Sequence, residues 1–322
     1  MSKQLKKMRW VWLVSLMVSI FVSQVVQAQD YPTKLVTLIV PAGPGGTHDL
    51  TARAVNSVVA GYLGQPLIVE LKPGGGGAIG TEFVAKAAPD GYTLLFGGPG
   101  WNSTLPAIEG RSKGPESFEG VCMVNYSSSF TLVRSESPYK TFKEMIQWAK
   151  ANPGKLIFGN TGVWGGGDLT WKQIKHQTGI VTRDVSHDGG GPMLTALLGG
   201  HIDVGVVGPP VSLPHVQAGK LRALTYNDSK RFPLAPNVPT TKEEGTDVVD
   251  IMWRGVLVPK GTPRPIINKL AAAFKKVTED PSFIEMVKKF GDDANYLGSE
   301  EFTKFWRDEY ESRKELGKIY KK

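Results

Sequence analysis

A recurring order of strand, glycine-rich loop and helix constrains this chain more than any other feature. Residues 35–40 read LVTLIV, a continuous apolar, β-branched run that suits a strand buried on both faces of a parallel sheet. It breaks at Pro41-Ala42-Gly43-Pro44-Gly45-Gly46. A helix pattern follows over 49–63, with Leu50, Ala54, Val58 and Tyr62 at four-residue spacing and Gly64 as its stop. The order then returns as a strand over 67–71, glycines at 74–77, a helix over 81–88 and a strand over 92–96 ending in Gly97-Gly98. After residue 126 it starts again. Strands are predicted over 130–133, 156–158, 183–186, 204–207 and 221–226, and helices over 141–150, 169–178 and 193–198. A proline-rich crossing at 233–239, a strand over 256–258 and helices over 265–278, 282–290 and 299–318 complete the pattern. Such alternation specifies an α/β fold built on parallel strands.

The order is interrupted near 125–129 and near 250–254. It therefore predicts two α/β domains, one formed by residues 29–125 with 251–322 and the other by 126–250, with a cleft between them. In such sheets the ligand crevice lies at the carboxyl ends of the strands. The loops there are 41–49, 72–80, 97–104, 159–168, 186–192 and 207–212, and nearly every one is rich in glycine. Glycine lets backbone N–H groups approach a ligand, and a helix that starts just after the loop adds its positive end. One such loop is explained by a tight turn; six on one edge favour a cleft that holds an anion.

The N-terminus sets the compartment. Residues 1–9 carry Lys3, Lys6, Lys7 and Arg9 with no acid, residues 10–22 are apolar, and Val26-Gln27-Ala28 places small residues at the −3 and −1 positions. These are the parts of a signal peptide over residues 1–28, cleaved after Ala28, which sends the protein to the periplasm. The apolar run is shorter than the roughly 20 residues of a spanning helix. Without this segment the formal charge falls from +8 to +4. That is enough to favour a small anion and too little, with no basic stripe interleaved with aromatics, for nucleic acid. The single Cys122 lies in the apolar run 121–124, where a buried structural thiol is expected; it supplies neither a disulfide nor a metal site.

Catalytic and cofactor patterns are thin. Gly75-Gly76-Gly77-Ala78-Ile79-Gly80 matches a dinucleotide fingerprint, but Gly97-Gly98-Pro99 stands where a ribose-binding acid should follow. There is no phosphate-binding G-x-x-x-x-G-K-[ST], no G-x-S-x-G elbow and no H-E-x-x-H, so no cofactor, metal or catalytic residue is assigned. His48-Asp49 and His187-Asp188 are dyads in predicted cleft loops. Without a nucleophile nearby, His187 is read as a hydrogen-bond donor to a ligand carboxylate. The pairs Glu243-Glu244 and Asp292-Asp293 read as solvated surface charge.

A set of short motifs resembles the Bug-type solute-binding receptors of tripartite tricarboxylate transporters. They are Val40-Pro41 with Pro44-Gly45-Gly46-x-x-Asp49 and Ala52-Arg53, Gly64-Gln65-Pro66, Gly75 to Gly80, and Pro89-Asp90-Gly91-Tyr92-Thr93-Leu94-Leu95. Further on come Pro153-Gly154-Lys155-Leu156, Ala196 to Asp203 (ALLGGHID), Gly219-Lys220-Leu221-Arg222-Ala223-Leu224, Val238-Pro239-Thr240, Trp253-x-Gly255 and Pro259-x-Gly261-Thr262-Pro263. The resemblance spans the whole mature chain, and it implies a two-domain periplasmic binding protein of the Venus-flytrap type II class that closes over a small organic carboxylate. By that resemblance Gly45, Gly46, Thr47, Ala78 and Gly98 hold one carboxylate from the first domain. Loops 159–168 and 185–189 add Thr161, Gly162, Trp164, Gly165 and His187 from the second. Asp49 is read as a helix cap and Asp203 as structural.

The departures bear on specificity. The family has an aromatic after the first-strand proline, where this chain has Ala42. Its second-domain loop here reads Gly159-Asn160-Thr161-Gly162-Val163-Trp164-Gly165, so Trp164 replaces a glycine and Gly165 a hydroxyl. Ser186-His187-Asp188-Gly189 replaces Pro-Tyr-Lys-Gly. Trp164, and Trp101 in the 97–104 loop, are read either as packing or as rings over a ligand with an aromatic or apolar body. The expected protein is a monomeric receptor, not an enzyme, that hands its ligand to transporter membrane subunits. The alternatives are an exported hydrolase or lyase using a His–Asp pair, and a sensory module that reports to a receptor.

Overall fold

The computed structural model describes residues 31–249 and 251–320. The predicted signal peptide lies outside these residues. Two five-stranded sheets organise these residues. In the first, β1 (Val36–Val40) pairs parallel with β2 (Leu67–Leu71) and with β3 (Thr93–Gly97). β10 (Met252–Pro259) runs antiparallel between β3 and β4 (Phe118–Ser127), which gives the order β2-β1-β3-β10-β4. In the second, β6 (Ile157–Asn160) pairs parallel with β7 (Arg183–Ser186) and β8 (Val204–Val207). β5 (Phe130–Arg134) runs antiparallel between β8 and β9 (Leu221–Tyr226), giving β7-β6-β8-β5-β9. The two sheets have the same topology.

The sequence pattern implied parallel strands throughout, and each sheet instead carries antiparallel pairs. The reason lies in the crossings. β5 begins just after β4 ends, so it enters its sheet at the shared edge and runs away from it. β10 enters at the same edge. The parallel strands run toward that edge, so the arriving strand opposes them. The ten-residue β4 was legible only as the apolar run 121–124.

Among the described residues ten α-helices cover the sheets: α1 (Thr47–Leu63), α2 (Ala78–Ala85), α3 (Leu105–Glu109), α4 (Phe142–Ala151), α5 (Gly166–Thr178), α6 (Gly190–Leu198), α7 (Pro209–Gln217), α8 (Arg264–Glu279), α9 (Pro281–Lys289) and α10 (Ser299–Tyr320). β1 shows how they pack. Its Val36, Leu38 and Val40 face Val55 and Val59 of α1 and Leu270 and Phe274 of α8. Ile39 faces the other way, into a cluster with Leu95, Leu257, Trp253, Phe302 and Trp306. Burial on both faces is why this strand reads as an unbroken apolar run. In the second sheet Phe158 stacks on Trp171 of α5 at 4.7 Å between ring centres. Cys122 is buried and free, as its apolar surroundings suggested.

A buried polar cluster lies beside the crossings. Arg254 of β10 donates from Nε to Asn125 Oδ1 at 2.6 Å and from a terminal nitrogen to Ser127 Oγ at 3.1 Å, and it forms an ion pair with Asp292. Asp292, read from sequence as solvated, is instead buried, and burial pushes its pKa up to about 6.

Candidate functional site

The loops that leave the carboxyl ends of the parallel strands meet along a seam between the two sheets. Gly43 N–H, after β1, donates to the carbonyl of Asp188, after β7, at 2.9 Å. A side-chain carbon at Gly43 would stand 2.5 Å from that oxygen, and one at Gly191 would stand 2.3 Å from the carbonyl of Pro44. Only glycine permits this approach. The seam encloses a cavity with about 560 Å³ of free space, counted with its mouth.

Helix amino ends dominate its walls. Gly46 and Thr47 start α1, Gly165 and Gly166 start α5, and Gly189 and Gly190 start α6; all six line the cavity. Each N-cap is a glycine with no capping side chain. The first N–H groups of a helix have no acceptor of their own, so these ends present donors and a partial positive charge. Pro99, Gly100 and Trp101 enter from the wide helical turn after β3. Ala42, Val207 and Met252 supply apolar wall.

Periodicity placed the starts of α1, α5 and α6 two to three residues too late, because it followed apolar side chains and the opening turns are made of glycine and polar residues. α1 and α5 share a pattern that the eye misses in the sequence. Gly46-x-x-Asp49-Leu50-Thr51-x-Arg53 matches Gly165-x-x-Asp168-Leu169-Thr170-x-Lys172. Asp49 Oδ2 accepts Gly45 N–H at 2.8 Å and pairs with Arg53 at 2.7 Å. Asp168 Oδ2 accepts Trp164 N–H at 2.7 Å and pairs with Lys172 at 2.6 Å. Thr51 and Thr170 each donate to the carbonyl four residues back at 2.9 Å. Asp49 thus sits inside the first turn and ties down the preceding loop, rather than occupying the cap position itself.

Three buried polar side-chain atoms on this cavity have no hydrogen-bond partner: Thr47 Oγ1, His48 Nε2 and Trp101 Nε1. A fourth, His187 Nδ1, belongs to a side chain lining the adjoining space toward Pro73 and Gly74. An unpaired buried polar group costs about 1–3 kcal/mol. Three on one wall leave this surface with hydrogen-bonding capacity that the protein itself does not use.

His48 is the most constrained of them. It is 7% exposed and lies between Phe96, with ring centres 6.0 Å apart, and Trp101, at 4.6 Å. Burial, and then the nearby Arg254 charge, push its pKa down to about 3, against the raising influence of the Gly97 and Trp253 backbone. The ring is therefore neutral at physiological pH. Its Nε2 is buried without a hydrogen-bond partner. A side chain at Gly98 would stand 2.5 Å from Nε2, so only glycine fits beside that nitrogen.

Of the residues singled out by sequence, Gly46, Thr47, Trp101, Thr161 and Gly165 line the main cavity, and Trp101, Thr161 and His187 line the adjoining space. Gly45, Ala78, Gly98, Gly162 and Trp164 are not among the lining residues. Gly45 turns the chain into α1, Ala78 packs beside Leu105 and Ile108, and Gly162 meets Gly76 across the seam. Trp164, read as a ring over a ligand or as packing, is packing. It is 4% exposed, clusters with Leu105, Ile108 and Leu169, and donates from its indole N–H to Glu109 of the opposite half. Lys172 sits 4.7 Å over the ring. His48 was visible only as half of a His–Asp dyad; Asp49, its supposed partner, is engaged with Gly45 and Arg53. Among the described residues no group of three or more His, Cys, Asp or Glu could hold a metal ion.

Comparison with known proteins gives this geometry a context. The model of the tripartite tricarboxylate transporter family receptor matches residues 51–321. A protein of Cupriavidus necator, described as the UPF0065 protein in the gbd 5' region, is 35% identical over 285 residues, which cover 87% of this chain and 85% of the relative. The periplasmic binding protein BugD superposes with a TM-score of 0.86 at 30% identity, over 90% of this chain and 98% of its own. An R. palustris protein solved with adipate superposes with a TM-score of 0.85 at 27% identity, over 90% and 98%.

Proposed function

This chain belongs to the tripartite tricarboxylate transporter receptor family, and from that premise we propose that it holds one small organic carboxylate at the seam between its two sheets. It is a periplasmic solute-binding receptor and not an enzyme, so the His–Asp hydrolase alternative falls away. The observation that carries the ligand class is the meeting of three uncapped helix amino ends with unpartnered polar atoms on one cavity. Backbone N–H groups of α1, α5 and α6, with Thr47 and Trp101, face the carboxylate, and Thr161, Gly165 and His187 close over it from the second half. A neighbour of the same fold that carries adipate supports this class. The apolar wall of Ala42, Val207 and Met252 accommodates an apolar or aromatic body.

Residues 29–125 with 251–322, and 126–250, act as two bodies that part at the crossings and close on the ligand. The closed form, a monomer released from its signal peptide after Ala28, is what the membrane subunits read. A domain that closes in this way gains stability from its ligand by mass action, about 2.7 kcal/mol at a hundredfold excess over the dissociation constant. Thermal unfolding of residues 29–322 against aliphatic and aromatic mono-, di- and tricarboxylates tests the reading. A clear rise in Tm with intact acid recovered afterwards is expected; no rise with any carboxylate would remove it.

A further inference from the structure

We propose that Trp164 is a clasp between the two halves of the molecule. It stands outside the cavity, yet it sets how tightly the receptor holds its acid, because it fixes how much of the ligand-free protein is already closed. This rests on the closing receptor proposed above and deepens it. The ring lies in a small apolar cluster that contains no strand residue of either sheet. Leu105 and Ile108 of α3, with Leu316 and Tyr320 of α10, come from the half formed by residues 29–125 and 251–322; Trp164 and Leu169 come from residues 126–250. The cluster therefore exists only while the halves touch. Across the same boundary the indole N–H donates to Oε1 of Glu109, whose Oε2 accepts from Arg111 Nε at 2.6 Å. Farther along α5, His176 meets Tyr320 edge-on, with ring centres 5.3 Å apart.

The second half has no need of a tryptophan for its own sake. Residue 164 has φ 61°, in the left-handed region that glycine enters freely and a larger side chain does not. Its bond to Asp168 uses the backbone N–H, which any residue but proline supplies. Within its own half the ring meets Leu169 and Lys172; the rest of its surroundings belong to the other half. Parting the halves would return the ring to water, so its burial favours the closed form whether or not a ligand is present. The next two residues, Gly165 and Gly166, line the cavity, so the clasp also holds the amino end of α5 where a ligand meets it. The apparent affinity of a ligand that binds the closed form scales with the fraction of protein already closed. A residue that raises this fraction tightens binding without touching the ligand.

Small-angle X-ray scattering of the ligand-free protein, and calorimetric titration with adipate and with phenylacetate, test this on the wild type, Trp164→Gly and Trp164→Phe. Glycine takes the turn without strain and keeps the bond to Asp168, so Trp164→Gly retains the fold of its half. The wild type is expected to keep nearly the same radius of gyration with and without acid. Trp164→Gly should be larger when empty, shrink to the wild-type value on saturation, and bind the acid at least about tenfold more weakly, a loss of about 1.4 kcal/mol. Trp164→Phe, which keeps a ring but no N–H, should fall between them. Equal ligand-free radii in the wild type and Trp164→Gly would overturn the clasp, as would a Trp164→Gly affinity equal to that of the wild type; either result leaves the carboxylate receptor standing. Failure of the wild type to bind either acid would count against the carboxylate reading, and the ligand-free scattering would still decide the clasp.

Discussion

At residue 45 the chain turns through a left-handed glycine, at residue 164 through a left-handed tryptophan, and each turn delivers a helix whose amino end faces the cavity. The φ values are 72° and 61°. Both turns are fastened by an aspartate at the third helical position that accepts the N–H of the turning residue. What differs is where the stabilisation comes from and what the helix then shows the ligand. Glycine adopts the left-handed region without penalty, whereas a larger residue there loses about 1–2 kcal/mol. Trp164 offsets that with a buried ring, an indole bond to Glu109 and a lysine over its face. The amino end of α1 then brings the side chains of Thr47 and His48 to the cavity, while that of α5 brings Gly165 and Gly166.

The contrast is open to direct attack. Asp168→Ala removes the carboxylate under a strained turn and strands Lys172, which is 21% exposed, so it should lose about 3 kcal/mol in urea unfolding. Asp49→Ala should lose only about 1–2 kcal/mol, since Gly45 needs no holding and Arg53 is 60% exposed. Equal losses would break the comparison. The next effect is in acid. His48 has a folded pKa near 3 against 6.5 unfolded, so the unfolded chain binds a proton that the folded one refuses. Stability from this group is full above pH 6.5 and drains as pH falls, by about 2 kcal/mol at pH 5. His48→Phe should lack that loss when pH 7.5 and pH 5 are compared by denaturant titration. Asp292, raised by burial, acts in the opposite sense below pH 6 in both proteins and cancels in the difference.

A smaller effect tests the turns themselves. Gly45→Ala meets nothing within 4 Å, so backbone strain alone should cost about 1 kcal/mol, with Tm as the readout. A neutral result would mean that the left-handed turn is not what sets glycine there. Smallest of all, Arg53→Ala should change stability by less than about 0.5 kcal/mol, because its pair with Asp49 is solvent-screened.

Much of the fold was legible because buried strands announce themselves. β1 and β8 are apolar along their length, and the glycine loops mark where their chains turn. β4 was largely missed, since its Glu119, Asn125 and Tyr126 interrupt the apolar pattern and Asn125 is buried only by pairing with Arg254 and Asp292. α7 was missed because PPVSLPHVQ carries an internal proline. The site was legible in its backbone and not in its side chains. Glycine runs predict where N–H groups gather. Nothing local to His48 predicts that Phe96 and Trp101, from other elements, bury its ring and leave Nε2 without a partner. Trp164 stayed between two readings for the same reason, since Glu109 and Lys172 decide where its ring goes.

The interleaving of strands has a consequence for how the molecule comes into being. The second sheet is drawn from one uninterrupted stretch, residues 130–226, and holds all its own strands. The first is not so self-sufficient. β4 has β10 as its ladder partner, and β10 lies between β4 and β3 instead of at a rim where it could be added last. Until residues 252–259 arrive, the earlier part of that sheet consists of β1, β2 and β3 with β4 waiting. Closing so long a loop is cheap in entropy, since the cost grows only with the logarithm of length, so what governs assembly is timing. The younger half of the polypeptide can finish first, and the older half must wait for the chain to come back to it.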